Sequence, residues 1–152
     1  MKAIVWLKPD LTIAITNPVG SPGSGESEDQ FLDRVAAKGV ADGAIPGDWV
    51  RQPNVDAVDI PADRTFRNAW TWDGSNIVTD LVKAKAILTK KARRKYDDRF
   101  KDLHVELVKA EGDQAAVDAA EADLAAFRNA ARTKLNLIRD AATLQDLRAI
   151  NL

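Results

Sequence analysis

From Leu81 to Ile138 the apolar side chains recur in steps of three or four, with one break at Gly112-Asp113. The first run is Leu81, Ala84, Leu88, Ala92, Tyr96, Phe100, Leu103 and Leu107. The second is Val117, Ala120, Leu124, Phe127, Ala131, Leu135 and Ile138. Such spacing places one apolar stripe along a helix. It predicts helices over about 80–110 and 113–139, the first about 45 Å long at 1.5 Å per residue. Asp113 is a suitable N-cap for the second, and a loop this short requires the two to lie antiparallel. A short helix capped by Thr143 follows over 144–150. Two helices enclose little core, and stripes of this length resemble coiled-coil seams. Two ways of covering them stay open: further helices of a copy or partner, or the remainder of the same chain.

The remainder has a different texture. All four tryptophans (Trp6, Trp49, Trp70, Trp72) precede residue 73. Residues 2–7 are β-branched and apolar, while 11–16 alternate with a period of two, so Pro9-Asp10 between them marks a hairpin. The segment NPVGSPGSG at 17–25 is a loop by its Gly and Pro content, and no Gly-Lys-Ser/Thr follows to make it a phosphate cradle. Ser27 stands three residues before Gln30, a capping-box spacing, which predicts a helix over 28–38 ended by Gly39 or Gly43. Short strands are expected at 49–50 and 55–60. A second hairpin is expected from 65–72 and 75–79 around Asp73-Gly74, a pair suited to a two-residue type I′ turn. Trp70 and Trp72 would then share one strand face, as core cover or as an exposed aromatic patch. The reading is α+β, with a β-rich module at 1–79 and a helical hairpin plus a short terminal helix at 80–152.

Composition narrows the function. The chain of 152 residues has no cysteine and one histidine, His104. Disulfides, iron–sulfur clusters and thiolate zinc sites are excluded, and Ser–His catalysis has little support. Asp56, Asp59 and Asp63 lack the Gly and Glu of a calcium loop. No enzyme, metal or cofactor is expected. Lys8, Pro9 and Asp10 interrupt the first apolar run too early for a signal peptide, and no stretch approaches the roughly 20 apolar residues of a membrane span. The balance of 22 basic and 23 acidic side chains hides a segregated layout. Residues 1–60 carry five basic and nine acidic groups, 83–101 carry nine basic against Asp97 and Asp98, and 111–125 carry only acids. At 100° per residue Lys83, Lys90, Arg94 and Lys101 fall near one line, opposite the Leu88–Ala92–Tyr96 stripe. That line is either a phosphate-contacting surface or a solvated face held by i,i+4 pairs such as Arg93–Asp97, Arg94–Asp98 and Asp97–Lys101.

The segment Asp63-Arg64-Thr65-Phe66-Arg67-Asn68-Ala69-Trp70 resembles a D-R-x-F-R-x-A-W element of small tail-associated proteins of tailed bacteriophages and prophages. Asp73, Gly74, Val78, Asp80, Lys83 and Ala84 continue the likeness into a turn and the opening of a long helix. The likeness is tight over about 60–84 and looser elsewhere. It implies a virion or virion-assembly protein of the tail tip or fibre region, made in the host cytoplasm and located in the tail, with no catalytic residues to carry over. Its implied partners are other tail proteins and copies of itself, without membrane insertion. A tail assembly chaperone and a small nucleic-acid-binding protein are the alternatives. Asp63, Arg64, Phe66, Arg67, Trp70 and Trp72 are the candidate corner or interface residues, with Arg64 and Arg67 available for carboxylates or backbone carbonyls.

Overall fold

The computed structural model describes residues 2–152, and the chain is α+β. It divides into two compact units, the first ending at Asp80 and the second running Leu81–Leu152.

The first unit is organised around β1 (Lys2–Leu7). β2 (Ile13–Thr16) pairs with it antiparallel along one edge, with Val5 opposite Ile15. β3 (Val50–Arg51) and β4 (Val55–Asp56) share the other edge, β3 beside Trp6 and Leu7 and β4 beside Lys2 and Ala3. Ala3, Ile4, Val5 and Trp6 are all buried, because both faces of the strand are covered. Ala3 and Val5 meet Ile13, Val55, Ile60, Trp70 and Ile77, while Ile4 and Trp6 meet Phe31, Leu32 and Ala36 of α1 (Glu28–Ala41). A strand enclosed on both sides reads as a continuous apolar run, which is what 3–6 shows.

The β1–β2 connection is a three-residue loop. Leu11 N–H donates to Lys8 O at 2.9 Å and Lys8 N–H to Thr12 O at 2.9 Å. Leu11 takes φ 60°, the left-handed position of this loop type, where glycine is usual. The Asp10 carboxylate accepts from both the backbone and the hydroxyl of Thr12, at 2.9 and 2.6 Å.

α1 begins on the Ser27–Gln30 capping box and runs past Gly39, three residues beyond the expected 28–38. A Cβ on Gly39 would lie 3.1 Å from Ile45 Cγ1, so the missing side chain lets the following loop pack on the helix. The chain leaves helical geometry only at Gly43, with φ 71°.

Three strand expectations are corrected. The strand at 49–50 forms one residue later, as β3. The segment 55–60 is a strand only at β4, then a 3-10 turn at Ala57–Asp59. Val55 and Ile60 are both buried, and five residues of alternation would put them on opposite faces, so the chain turns between them. Likewise 65–72 is a strand only at β5 (Trp70–Trp72), preceded by a 3-10 turn at Arg67–Ala69. Phe66 and Ala69 are both buried, a spacing of three that the 3-10 turn serves and a strand does not.

β5 pairs with β6 (Ile77–Thr79), Trp72 opposite Ile77, so the loop has four residues rather than two. Gly74 has φ 107°, but Asp73 is not left-handed, which rules out type I′. Instead its carboxylate accepts from Ser75 N and Asn76 N at 2.9 and 2.7 Å. Those two bonds, the Asn76 one foremost, hold the acid below the usual carboxylate range. Trp70 is buried and Trp72 half-buried in one core cluster, so the pair covers core.

The second unit contains α2 (Leu81–Lys109), α3 (Gln114–Asp140) and α4 (Leu144–Ala149). α2 and α3 form the helical hairpin, turning at Gly112 with φ 100°. Asp113 caps α3, accepting from Ala115 N and Ala116 N at 3.0 and 3.2 Å. The seam buries Ala84, Leu88, Ala92 and Leu103 of α2 with Leu124, Ala131 and Ile138 of α3. Midway, Phe127 meets Tyr96 and Phe100 edge-on, at centroid distances of 5.8 and 5.0 Å. A capping box of Thr143 and Asp146 starts α4, and Leu147 is buried.

Candidate functional site

The D-R-x-F-R-x-A-W segment forms a compact corner. Asp63 Oδ1 accepts from Thr65 N at 2.8 Å, and Arg64 O and Phe66 O accept from Arg67 N and Ala69 N at 3.2 and 2.8 Å. Ala69 O accepts from Asp80 N at 2.9 Å, tying the corner to the end of β6. Phe66, Ala69 and Trp70 are buried, at 3%, 0% and 3% exposure, and make the footing. Asp63 is half-buried. Arg64, Arg67 and Asn68 point outward from that footing and are exposed.

Neither arginine pairs with a carboxylate among the described residues. The Arg64 guanidinium instead lies over the Trp70 ring, 5.8 Å from its centroid. Stacking of this kind fixes a planar cation while leaving its edge N–H groups available. Arg64, Arg67, Asn68 and Trp70 line a cleft of about 230 Å³, together with Lys8 and the apolar wall of Ile13 and Ile15. Lys8 comes from the end of β1 and carries its ammonium 5.3 Å from the Trp49 ring centroid. A hydrogen bond from the Thr71 hydroxyl to Leu11 O, 2.8 Å long, fastens the β1–β2 loop to β5 beside this cleft. Lys8 and Asn68 were not among the residues singled out by sequence. Lys8 is more than fifty positions from Arg64, and only the fold brings them together.

The basic helix face is more open. Lys90, Arg94 and Lys101 are exposed on α2, while Lys83, expected to complete the line, is half-buried. A broad concavity of about 600 Å³ along this face includes Lys90, Arg93, Arg94 and Lys101 with Asp97 and Asp98. Its ion pair among the described residues is Lys101–Asp98 at 3.7 Å, an i,i+3 contact in place of the three i,i+4 pairs expected. The acids on this face dilute its positive field, unlike the cleft at Arg64.

A third depression of about 470 Å³ lies over the aromatic seam of the hairpin, between Tyr96 and Phe127, with Lys95, Arg99 and Lys134 around it. Lys95 Nζ donates to Leu152 O, which brings the 150–152 segment back to α2. Burial pushes the Tyr96 phenol above its ordinary pKa. Among the described residues no group of three His, Asp or Glu side chains is placed to hold a metal, and no helix is long and apolar enough to cross a membrane. His104 is exposed on α2. The strongest chemical feature is thus Arg64 and Arg67, exposed and without acid partners among the described residues, on a corner whose footing of Phe66, Ala69 and Trp70 is buried.

Compared with known protein families, curated proteins and solved structures, the chain has no significant match.

Proposed function

We propose that this chain is a non-enzymatic structural or adaptor protein of a bacteriophage tail, in the tip or fibre region, acting by protein–protein contact in multiple copies. The observation that carries the reading is the Arg64–Arg67 pair, exposed, unpaired and set on a buried Phe66–Ala69–Trp70 footing. Arginine beside aromatic residues is the composition of binding anchors, and a side chain fixed before contact loses less entropy on binding. The resemblance over 60–84 supplies the tail context. Val105, Val108 and Leu137 remain exposed on the hairpin, available to a neighbouring subunit.

The test is quantitative mass spectrometry of purified particles from a host carrying this gene, alongside tail intermediates separated on a gradient. The reading expects the chain in mature tails at several copies each. Presence in intermediates alone would support the assembly-chaperone alternative, and absence from both refutes a tail role. The nucleic-acid alternative rests on Lys90, Arg94 and Lys101, and it requires affinity for DNA or RNA that falls steeply with salt. Lack of binding to either at low salt removes it.

A further inference from the structure

We infer that the cleft between Lys8, Arg64 and Arg67 is a carboxylate-binding subsite that receives a Glu or Asp side chain from an acidic segment of a partner protein. The inference rests on the protein-docking reading and names the chemistry of its partner.

Arg64 and Arg67 line one cleft of about 230 Å³ with Lys8 at its margin, and none of the three has an acid partner among the described residues. Like charges gathered on a concave surface focus a positive potential outward and favour an anion there. The arrangement differs from that of the other cations of this unit. Lys2 is paired with Asp29, Arg34 with Glu26, Lys38 with Asp42 and Arg51 with Asp33. Elsewhere, then, the module supplies its own anions; at Lys8, Arg64 and Arg67 it does not.

The shape selects among anions. Trp70 is 3% exposed and its near face is taken by Arg64, so no open ring remains for a nucleobase to stack on. The volume lies below the roughly 300–1,000 Å³ of small-molecule sites, enough for one charged group and its stem. The Arg64 guanidinium, held over the Trp70 ring, keeps N–H groups that can match a carboxylate through two parallel hydrogen bonds. Asn68 adds an amide donor at the rim. Ile13 and Ile15 give an apolar wall suited to the methylene stem of a glutamate, which a free phosphate lacks.

The experiment is an NMR titration of the full-length, nitrogen-15-labelled chain with the blocked peptide acetyl-tetraglutamate amide. Parallel titrations use acetyl-tetraglutamine amide and inorganic phosphate. The expected result is saturable shifts at the Arg64 Nε–H, the Asn68 side-chain amide and the Trp70 indole N–H with the glutamate peptide. Arg64→Gln combined with Arg67→Gln should weaken binding by at least about tenfold, as loss of charged partners does. Lys8→Gln, at a separate point of the cleft, should weaken it severalfold and serves if the double variant folds poorly. Three outcomes overturn the inference: no saturable shift at millimolar peptide, equal shifts with the glutamine peptide or in the variants, or phosphate binding as tightly as the glutamate peptide. Failure here is separable from failure of the tail assignment. Peptide binding by a chain missing from particles would sink only the tail role, and a tail protein with an inert cleft would sink only the subsite.

Discussion

Leu11 sits at φ 60° in the β1–β2 loop, in a conformation that L-residues adopt at a cost of roughly 1–2 kcal/mol. Its side chain is 60% exposed, so little packing is lost when it is shortened. Comparing Leu11→Gly with Leu11→Ala isolates the backbone effect, because the two variants differ by one methyl group. Glycine removes the left-handed strain but gives back about 0.5–1 kcal/mol of extra unfolded-state entropy. The surplus leaves Leu11→Gly more stable than Leu11→Ala by about 0.5–1 kcal/mol, the reverse of their order inside a helix or strand. For a unit of this size the difference corresponds to roughly 2–8 °C in Tm. Urea unfolding of both variants, followed by tryptophan fluorescence, measures it directly, since all four tryptophans lie in the first unit. An alanine variant as stable as the glycine variant would refute the loop geometry. Because Leu11 O accepts from Thr71, that result would also undo the fastening of the loop beside the Lys8 cleft.

Leu32 is fully buried against β1, so Leu32→Ala should cost about 2–5 kcal/mol in chemical denaturation; a loss below about 1 kcal/mol would mean that this core cluster is wrongly assigned. Asp113→Ala removes the cap of α3 and should lower stability by about 1 kcal/mol, an effect that an unchanged denaturation midpoint would disprove. The Glu26 carboxyl, held mainly by Arg34 and then by the Gly23 backbone, has its pKa lowered to about 2 from 4.5. A depressed acid stabilises the fold above its unfolded pKa, so this contribution should be full above about pH 4.5 and fade as pH falls towards 2. Glu26→Gln should flatten that part of the stability–pH profile, and an unaltered profile would argue against the forked Arg34 contact.

Much of the fold was legible because local signals and tertiary burial agreed. Ser27 with Gln30, Asp113 and Thr143 each cap the helix their spacing indicated, and the two apolar stripes became the hairpin seam. The errors fall where burial needs a period that local propensity does not show. Phe66 and Ala69 must both turn inward, so a β-favouring stretch becomes a 3-10 turn. Val55 and Ile60 impose a similar bend. Asp73 misled for another reason: its carboxylate caps the loop from the side chain, an option the Asp-Gly pair does not reveal. Of the cleft, Arg64, Arg67 and Trp70 were visible as a motif. Lys8 was not, since no local pattern announces a cleft assembled from residues so far apart in the chain.

β1 has a consequence for synthesis. The face formed by Ala3 and Val5 closes only when Trp70 and Ile77 arrive, so some seventy residues must be made after Val5 before the strand is enclosed. At 5–20 residues per second that interval is about 4–14 s. Throughout it, the Ala3-Ile4-Val5-Trp6 run is an apolar strand with an incomplete cover, the kind of segment that seeks other edges. The hairpin that follows needs only neighbours close in sequence and can form as soon as it is made. The earliest-made strand of the first unit is therefore enclosed only by the last-made strands of that unit, and the nascent chain's exposure to misassembly spans the making of everything between them.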